Sequence, residues 1–285
     1  MSNAEPRFGR LITAMVTPFN DERELDLDRA QALATRLIEG GNDSLIINGT
    51  TGESPTVFYP QKIELFRAVV EAVGGKASVI ANVGDNCTAD TVNFAKDVAK
   101  LGVDGFMCVV PYYNKPPQEG IYQHFKTIAN AVELPIILYN IPGRCVVNME
   151  AETTLRLAND CENVIAVKEA SGKMDQIATI AAAAPEGFSV YSGDDSATYD
   201  IMRLGGAGVI STTGNVAPER MKELVTKCAE GKWDEAWAAH EALLPLMNGL
   251  FETSNPILVK EALKLVGFPV GGVRLPLIDA TAEQS

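Results

Sequence analysis

The chain has 285 residues, of which 46% are hydrophobic and 21% are charged, a composition that is typical of a globular protein and excludes wholesale disorder. Its formal net charge is -13, so it lacks the basic balance with which nucleic-acid-binding proteins neutralise phosphates. No apolar run approaches the roughly 20 residues that span a bilayer, and we recognise no secretory signal. We therefore expect a cytoplasmic protein without nucleic-acid or membrane partners.

Short apolar runs alternate along the chain with longer amphipathic stretches of helical spacing. We expect the short runs to be strands, at 11–16, 44–48, 78–83, 105–110, 135–139, 164–168, 188–192 and 208–212. In the first amphipathic stretch, Asp26 is the predicted N-cap and Gly40-Gly41 the stop. Strands that are apolar throughout and separated by helices indicate an α/β fold with a parallel sheet, and eight such units favour closure into a (β/α)8 TIM barrel.

After the eighth unit the chain continues in helical pattern alone, from about Trp233 to Phe268. We interpret this part as extra C-terminal helices. The predicted organisation is a catalytic barrel over residues 5–230 and a C-terminal helical extension over residues 231–285 that packs on it.

Polar residues gather where the predicted strands end, which is where barrel enzymes place their chemistry. Lys168 follows the apolar residues 164–167, so burial is expected to lower the pKa of its amine. A neutral amine can attack a ketone and form an imine. Two alternatives stay open: Lys168 forms a buried ion pair with a carboxylate, or the adjacent Glu169 neutralises it.

Three further features at the strand ends could exchange protons or bind a small carboxylate. Tyr139 ends the fifth run, about 5 Å from the neighbouring strand, so its phenol could exchange protons with Lys168; the alternative is a half-buried aromatic side chain. The turn at Thr50-Thr51 offers hydroxyl and backbone N–H groups to a carboxylate. Arg144 could grip a carboxylate with both guanidinium nitrogens, or form a surface salt bridge.

The sequence contains no cluster of residues that is typical of a metal-binding or cofactor-binding site. Asp194-Asp195 has no third ligand nearby in sequence, and we interpret the pair as helix N-terminal carboxylates. The two histidines, His124 and His240, stand far apart, which argues against a zinc site and a Ser-His-Asp triad. Five cysteines without paired spacing are interpreted as reduced thiols. We therefore predict no metal and no cofactor.

Five motifs occur in order along the chain: Gly-Thr-Thr-Gly-Glu at 49–53, Pro-Tyr-Tyr-Asn at 111–114, Tyr-Asn-Ile-Pro-Gly-Arg at 139–144, Lys-Glu-Ala-Ser-Gly at 168–172 and Ser-Gly-Asp-Asp at 192–195. In these motifs the chain resembles the dihydrodipicolinate synthase family, which belongs with N-acetylneuraminate lyase to the pyruvate-dependent class I aldolases. The resemblance implies a lyase of lysine and diaminopimelate biosynthesis, which condenses pyruvate with L-aspartate 4-semialdehyde to 4-hydroxy-tetrahydrodipicolinate.

The resemblance also implies a role for each matching residue. Lys168 would form the Schiff base with pyruvate, and Tyr139 and Thr50 would relay protons together with Tyr113 of a neighbouring subunit. Substrate would be held by Thr51 on the pyruvate carboxylate, Arg144 on the aldehyde's carboxylate, and the backbone of Gly193 and Ile210 at the imine. A homotetramer built from tight dimers is implied as well.

Two points about substrate and regulation stay open. The alternative substrate is a 2-oxo sugar acid, as in N-acetylneuraminate lyase or 2-keto-3-deoxygluconate aldolase. The family's site for feedback inhibition by lysine corresponds here to Ser54, Tyr59, Lys62, Asn86, Asp90 and Tyr112. The cation of Lys62 would repel the ligand's ammonium group, so we predict weak or absent inhibition by lysine.

Overall fold

Eight parallel strands close into a barrel in chain order, as predicted. The computed structural model describes residues 5–285. The strands are β1 Leu11–Ala14, β2 Ser44–Ile47, β3 Ser78–Asn82, β4 Gly105–Val109, β5 Ile136–Asn140, β6 Val164–Glu169, β7 Ser189–Ser192 and β8 Gly208–Ser211. Each predicted strand is confirmed, with its ends shifted by at most two residues.

Helices follow the strands and cover the outside of the barrel. They are α1 Leu27–Glu39, α2 Tyr59–Val73, α3 Thr88–Val98, α4 Gln118–Ala131, α5 Pro142–Cys145, α6 Ala151–Asp160, α7 Met174–Ala183, α8 Thr198–Arg203, α9 Pro218–Ala229, α10 Trp233–Gly249 and α11 Ile257–Leu265. The predicted cap of α1 is confirmed: the Asp26 carboxylate accepts from the backbone N–H of Arg29, and Gly40 ends the helix.

The core has an inner and an outer part. Apolar side chains that alternate along the strands fill the barrel interior, among them Ile46, Ile137 and Ile210. A larger apolar layer lies between the strands and the helices. Burial on both faces explains why the strands read as unbroken apolar runs in the sequence. Because the strands are buried on both faces, polar side chains can reach a substrate only at the strand ends.

The extra C-terminal helices are present and pack on the barrel. Helix α10 contributes Ala236 and Leu243 to an apolar cluster with Leu11 of β1 and Val225 of α9. Helix α11 contributes apolar residues to the main core. After α11 the chain returns to the carboxyl end of β2, where the backbone N–H of Arg274 reaches the loop after that strand. No helix within residues 5–285 is both long and apolar enough to span a bilayer.

Candidate active site

Lys168 and Tyr139 lie side by side at the carboxyl ends of β6 and β5. The strand register pairs them directly, and Lys168 Nζ lies 4.4 Å from the centre of the Tyr139 ring. Both side chains are buried. Burial lowers the pKa of Lys168 to about 8, while the charge of Asp195 raises it and that of Arg144 lowers it. Nearly a tenth of the amine is then neutral at pH 7, because the pH is about one unit below the pKa.

Neither alternative for Lys168 is supported by the geometry. Among residues 5–285 no carboxylate lies within ion-pair distance of Lys168 Nζ. The Glu169 carboxylate has other partners: it accepts from Asn140 Nδ2 at 2.9 Å and from Gln176 Nε2 at 2.8 Å. Glu169 therefore belongs to a buried amide network, and Lys168 keeps its amine available for chemistry.

Tyr139 is placed to hold and donate a proton. Burial raises the pKa of its phenol to about 12, whereas the Thr50 hydroxyl and the charge of Arg144 lower it. The phenol therefore keeps its proton at neutral pH. The prediction that Tyr139 is within reach of Lys168 is confirmed, and the side chain is 4% exposed rather than half-buried.

Gly193 lies against Lys168, where there is no room for a side chain. A Cβ added to Gly193 would lie 2.7 Å from Ala170 Cβ and 3.1 Å from Lys168 Cγ, so a larger residue would push into the lysine. The Gly193 N–H donates to the Glu169 carbonyl, which fixes the loop after β7 against β6. Ile210 of β8 is buried in the same interior cluster as Tyr139. The structure thus brings both predicted lining residues to the barrel end that holds Lys168.

The Thr50-Thr51 turn leads from β2 into the site. Thr50 is partly buried beside Tyr139, and Thr51 is 3% exposed. Thr51 Oγ1 accepts a 2.9 Å hydrogen bond from Asn255 Nδ2 and lies 3.5 Å from Thr212 Oγ1. Asn255 comes from the segment before α11, some 200 residues later in the chain. No motif or spacing in the sequence indicates this contact.

The interpretation of Asp194 and Asp195 as helix N-terminal carboxylates describes Asp194 fully but Asp195 only in part. Asp194 behaves as predicted, since its carboxylate accepts from the backbone N–H of Ser196 and caps a short 3-10 helix. Asp195, however, is a buried carboxylate that accepts from the hydroxyls of Ser211 and Thr213 and from two backbone N–H groups at the end of β8. It therefore joins the ends of β7 and β8 and places a negative charge near Lys168.

Arg144 lies on the short helix α5, directly after β5. Its guanidinium is exposed and forms no ion pair within the described part of the chain, so the surface salt bridge is not observed. The next residue, Cys145, is buried and its thiol donates to the Val110 carbonyl at 3.2 Å, which ties α5 to the end of β4. Val146 follows at φ +63°, a conformation that favours glycine.

Tyr113 does not join the site of its own chain. Its side chain is 86% exposed, and its backbone has φ +74°, which is uncommon for an aromatic residue. Tyr113 is therefore an exposed aromatic residue in a strained backbone conformation.

Three of the six candidate regulatory residues line one cavity of about 240 Å³. Tyr59, Lys62 and Asp90 line it, together with Asp85. Lys62 Nζ donates to Ser54 Oγ at 3.2 Å. At the rim, Asn86 Nδ2 donates to the Tyr112 carbonyl, and the Tyr112 hydroxyl donates to Asp85. The structure therefore brings these residues together in one place.

The two histidines contact side chains of the same chain. His124 pairs with Thr88 Oγ1 at 2.8 Å, and His240 stacks on Tyr199. Within residues 5–285 no three His, Cys, Asp or Glu side chains are grouped as metal ligands. All five cysteines are free, and only Cys87 is exposed.

Comparisons with known proteins identify a family. Residues 7–285 match the Dihydrodipicolinate synthetase family. A relative from Moorella thermoacetica named 4-hydroxy-tetrahydrodipicolinate synthase is 54% identical over 278 residues, which cover 98% of this chain and 95% of the relative.

Solved structures give the same result. The dihydrodipicolinate synthase (DHDPS) of Cyanidioschyzon merolae with lysine bound superposes with a TM-score of 0.96 at 47% identity, over 98% of this chain and 95% of that one. A structure described as the first monomeric dihydrodipicolinate synthase variant superposes with a TM-score of 0.94 at 43% identity, over 96% and 92%. This chain belongs to the Dihydrodipicolinate synthetase family.

Proposed function

We propose that this chain condenses pyruvate with L-aspartate 4-semialdehyde to 4-hydroxy-tetrahydrodipicolinate through a Schiff base on Lys168. The observation that carries the proposal is a buried lysine without an acidic partner, whose Nζ lies 4.4 Å from the Tyr139 ring. The 54% identical relative bears the name of this activity. The names of this relative and of the 47% identical solved structure favour it over the sugar-acid alternative.

The reaction begins when neutral Lys168 attacks the keto carbon of pyruvate. The carbinolamine loses water, and the Tyr139 phenol supplies the proton that the departing hydroxyl needs. Its pKa of about 12 suits this task, because the group arrives at the site protonated. Thr50 stands next to Tyr139 and passes protons onward to Tyr113 of a second subunit.

The iminium nitrogen then withdraws electrons from the former methyl group of pyruvate. Loss of a methyl proton gives an enamine, whose carbon attacks the aldehyde and forms the new carbon–carbon bond. The amino group of the second substrate next displaces Lys168 from the imine carbon, which closes the ring and frees the lysine. No metal or organic cofactor enters these steps.

Two groups hold the substrates by their carboxylates. The hydroxyl and N–H of Thr51 bind the pyruvate carboxylate, and the backbone of Gly193 and Ile210 lines the imine pocket. Arg144 receives the carboxylate of the aldehyde, a task that fits an exposed guanidinium without a partner in the chain itself.

A rate comparison tests the proposed reaction. We expect turnover with pyruvate and L-aspartate 4-semialdehyde, and no comparable turnover with N-acetylmannosamine or a sugar-acid aldehyde. In the Arg144→Ala variant, the KM for the semialdehyde should rise at least about tenfold, as for loss of a charge-assisted contact, while the KM for pyruvate stays unchanged. Faster turnover of a sugar aldehyde would favour the alternative reaction.

We further infer that the working form is a homotetramer of tight dimers in the cytoplasm. The exposed, strained Tyr113 supports an interface close to the active site. Its hydroxyl would complete the proton relay of the partner, so the dimer is the smallest fully active unit.

The regulatory cavity leads to a prediction about lysine. Lys62 lines the cavity and is partly buried, so its ammonium would meet that of a bound lysine; the charge of Asp85 offsets part of this repulsion. We predict weak or absent inhibition, and Lys62→Met should strengthen it. Steady-state assays across lysine concentrations check this, and half-maximal inhibition of the unmodified enzyme at micromolar lysine would contradict it.

A further inference from the structure

The loop after β2 is held by residues that arrive from the C-terminal extension. Glu53 ends the Thr50–Glu53 turn with its backbone at φ +56° and its side chain buried. Its Oε1 lies 2.6 Å from Lys260 Nζ on α11, and its Oε2 accepts from the backbone N–H of Arg274 at 2.9 Å. Lys260 Nζ also donates to the Gly272 carbonyl. The turn is therefore fixed from outside the barrel, at a defined distance from α11.

Asn255 stands just before α11 and meets the same turn at Thr51. Its Nδ2 donates to Thr51 Oγ1 at 2.9 Å, and the two side chains are 6% and 3% exposed. Within residues 5–285 this is the only hydrogen bond of the Asn255 side chain, because its Oδ1 has no partner. The side-chain amide of Asn255 is thus directed at Thr51 Oγ1.

This contact decides how the Thr51 hydroxyl can be used. A hydroxyl has one hydrogen to donate and two lone pairs with which to accept. Because Thr51 Oγ1 accepts from Asn255, its own hydrogen is free to donate elsewhere. Within residues 5–285 the other hydrogen-bond partner of this hydroxyl is Thr212 Oγ1 at 3.5 Å, too far for a strong bond. A carboxylate oxygen, which can only accept, would take the hydrogen at a better distance.

We propose that Asn255 is a positioning residue for the keto acid: its amide holds Thr51 as a hydrogen-bond donor to the pyruvate carboxylate. The inference rests on the proposed function and deepens it, because it assigns part of pyruvate binding to the C-terminal extension. The ion pair between Glu53 and Lys260 supports the contact by fixing the turn that carries Thr51 relative to α11.

Borohydride trapping measures this role without turnover. The half-saturating pyruvate concentration for adduct formation on Lys168 is determined for the unmodified chain, Asn255→Ala, Asn255→Asp, Thr51→Val and the double variant Thr51→Val/Asn255→Ala. We expect Asn255→Ala to raise that concentration about tenfold, as for a lost bond to a charged group. Asn255→Asp should raise it more, because its carboxylate takes the Thr51 hydrogen and repels the substrate.

The double variant separates positioning from general damage. In the Thr51→Val background, Asn255→Ala should change the pyruvate requirement by less than about twofold, since the group it positions is gone. The KM for the aldehyde and the kcat at saturating pyruvate should change by less than about threefold in both Asn255 variants, in line with loss of ground-state binding only.

Several results would overturn the inference. One is an unchanged pyruvate requirement in Asn255→Ala or Asn255→Asp. Another is an equal rise in the presence and absence of the Thr51 hydroxyl, which indicates a structural effect. If Asn255→Ala does not fold, the isosteric Asn255→Asp decides alone. Failure of the unmodified chain to form any adduct would instead contradict the proposed function, and this inference with it.

Discussion

Two lysines in this chain are buried, but only one of them has an acidic partner within the described residues. Burial lowers the pKa of Lys168 and of Lys260 to about 8. Lys260 is neutralised by Glu53 at 2.6 Å, whereas within the described residues Lys168 has no such partner. A lysine left unpaired in the interior costs stability, and this cost leaves the amine ready to react.

Replacement of Lys168 should therefore stabilise the protein. For Lys168→Met we expect a gain of at most about 3 kcal/mol in the free energy of unfolding at pH 7, which corresponds to a pKa lowered from 10.5 to about 8. The sign follows from proton binding: between pH 8 and 10.5 the unfolded lysine keeps a proton that the folded one has lost, so the unmodified protein gains stability as the pH rises.

The advantage of Lys168→Met should accordingly shrink from pH 8 to pH 10. Urea unfolding of both proteins at pH 7 and pH 10 measures this difference. A variant that is less stable than the unmodified protein at pH 7 would show that the lysine has a stabilising partner in the folded state.

At the scale of single elements, the sequence predicted strands and helix caps better than it predicted contacts between distant residues. The strands and the α1 caps are encoded by residues close together in sequence, and they were predicted correctly. The contacts of Asp195 and Asn255 were not predicted, because their partners lie 16 and 204 positions away along the chain. No periodicity reports such a contact; only the closed barrel and the returning C-terminal segment create it.

The Glu53–Lys260 pair gives a second stability test. Lys260→Met leaves the Glu53 carboxylate buried without its cation, so we expect a loss of about 3–5 kcal/mol. Glu53→Gln/Lys260→Met should recover more than half of this loss, because the amide carries no charge and can still accept from Arg274. Denaturant unfolding of the three proteins decides the matter. Equal stability of the single and double variants would contradict the ionic explanation.

At the scale of the whole molecule, the barrel was predictable and its assembly was not. Eight runs that are apolar throughout indicate a parallel sheet buried on both faces, and their number favours the closed barrel that is observed. An interface leaves no comparable pattern in the sequence, since an exposed aromatic such as Tyr113 reads like any loop residue. Its part in the neighbouring site came from the family resemblance alone and remains a proposal.

Subunit mixing tests that proposal. Tyr113→Phe keeps Lys168, and Lys168→Met keeps Tyr113, so a mixed dimer has one site with both groups if Tyr113 acts across the interface. An equimolar mixture, exchanged through mild denaturation, should regain about a quarter of the unmodified activity, because half of the dimers are mixed and each has one complete site of two. Recovery no greater than the mean of the separate variants would place Tyr113 within its own chain.

The most direct test of the whole account is reductive trapping of pyruvate by borohydride followed by peptide mass spectrometry. We predict one adduct per chain, on Lys168, with an initial rate that rises between pH 7 and 9 as the amine with a pKa of about 8 loses its proton. Lys168→Met should give none. An unmodified Lys168 in the presence of pyruvate and reductant, or an adduct confined to another lysine, would contradict the account.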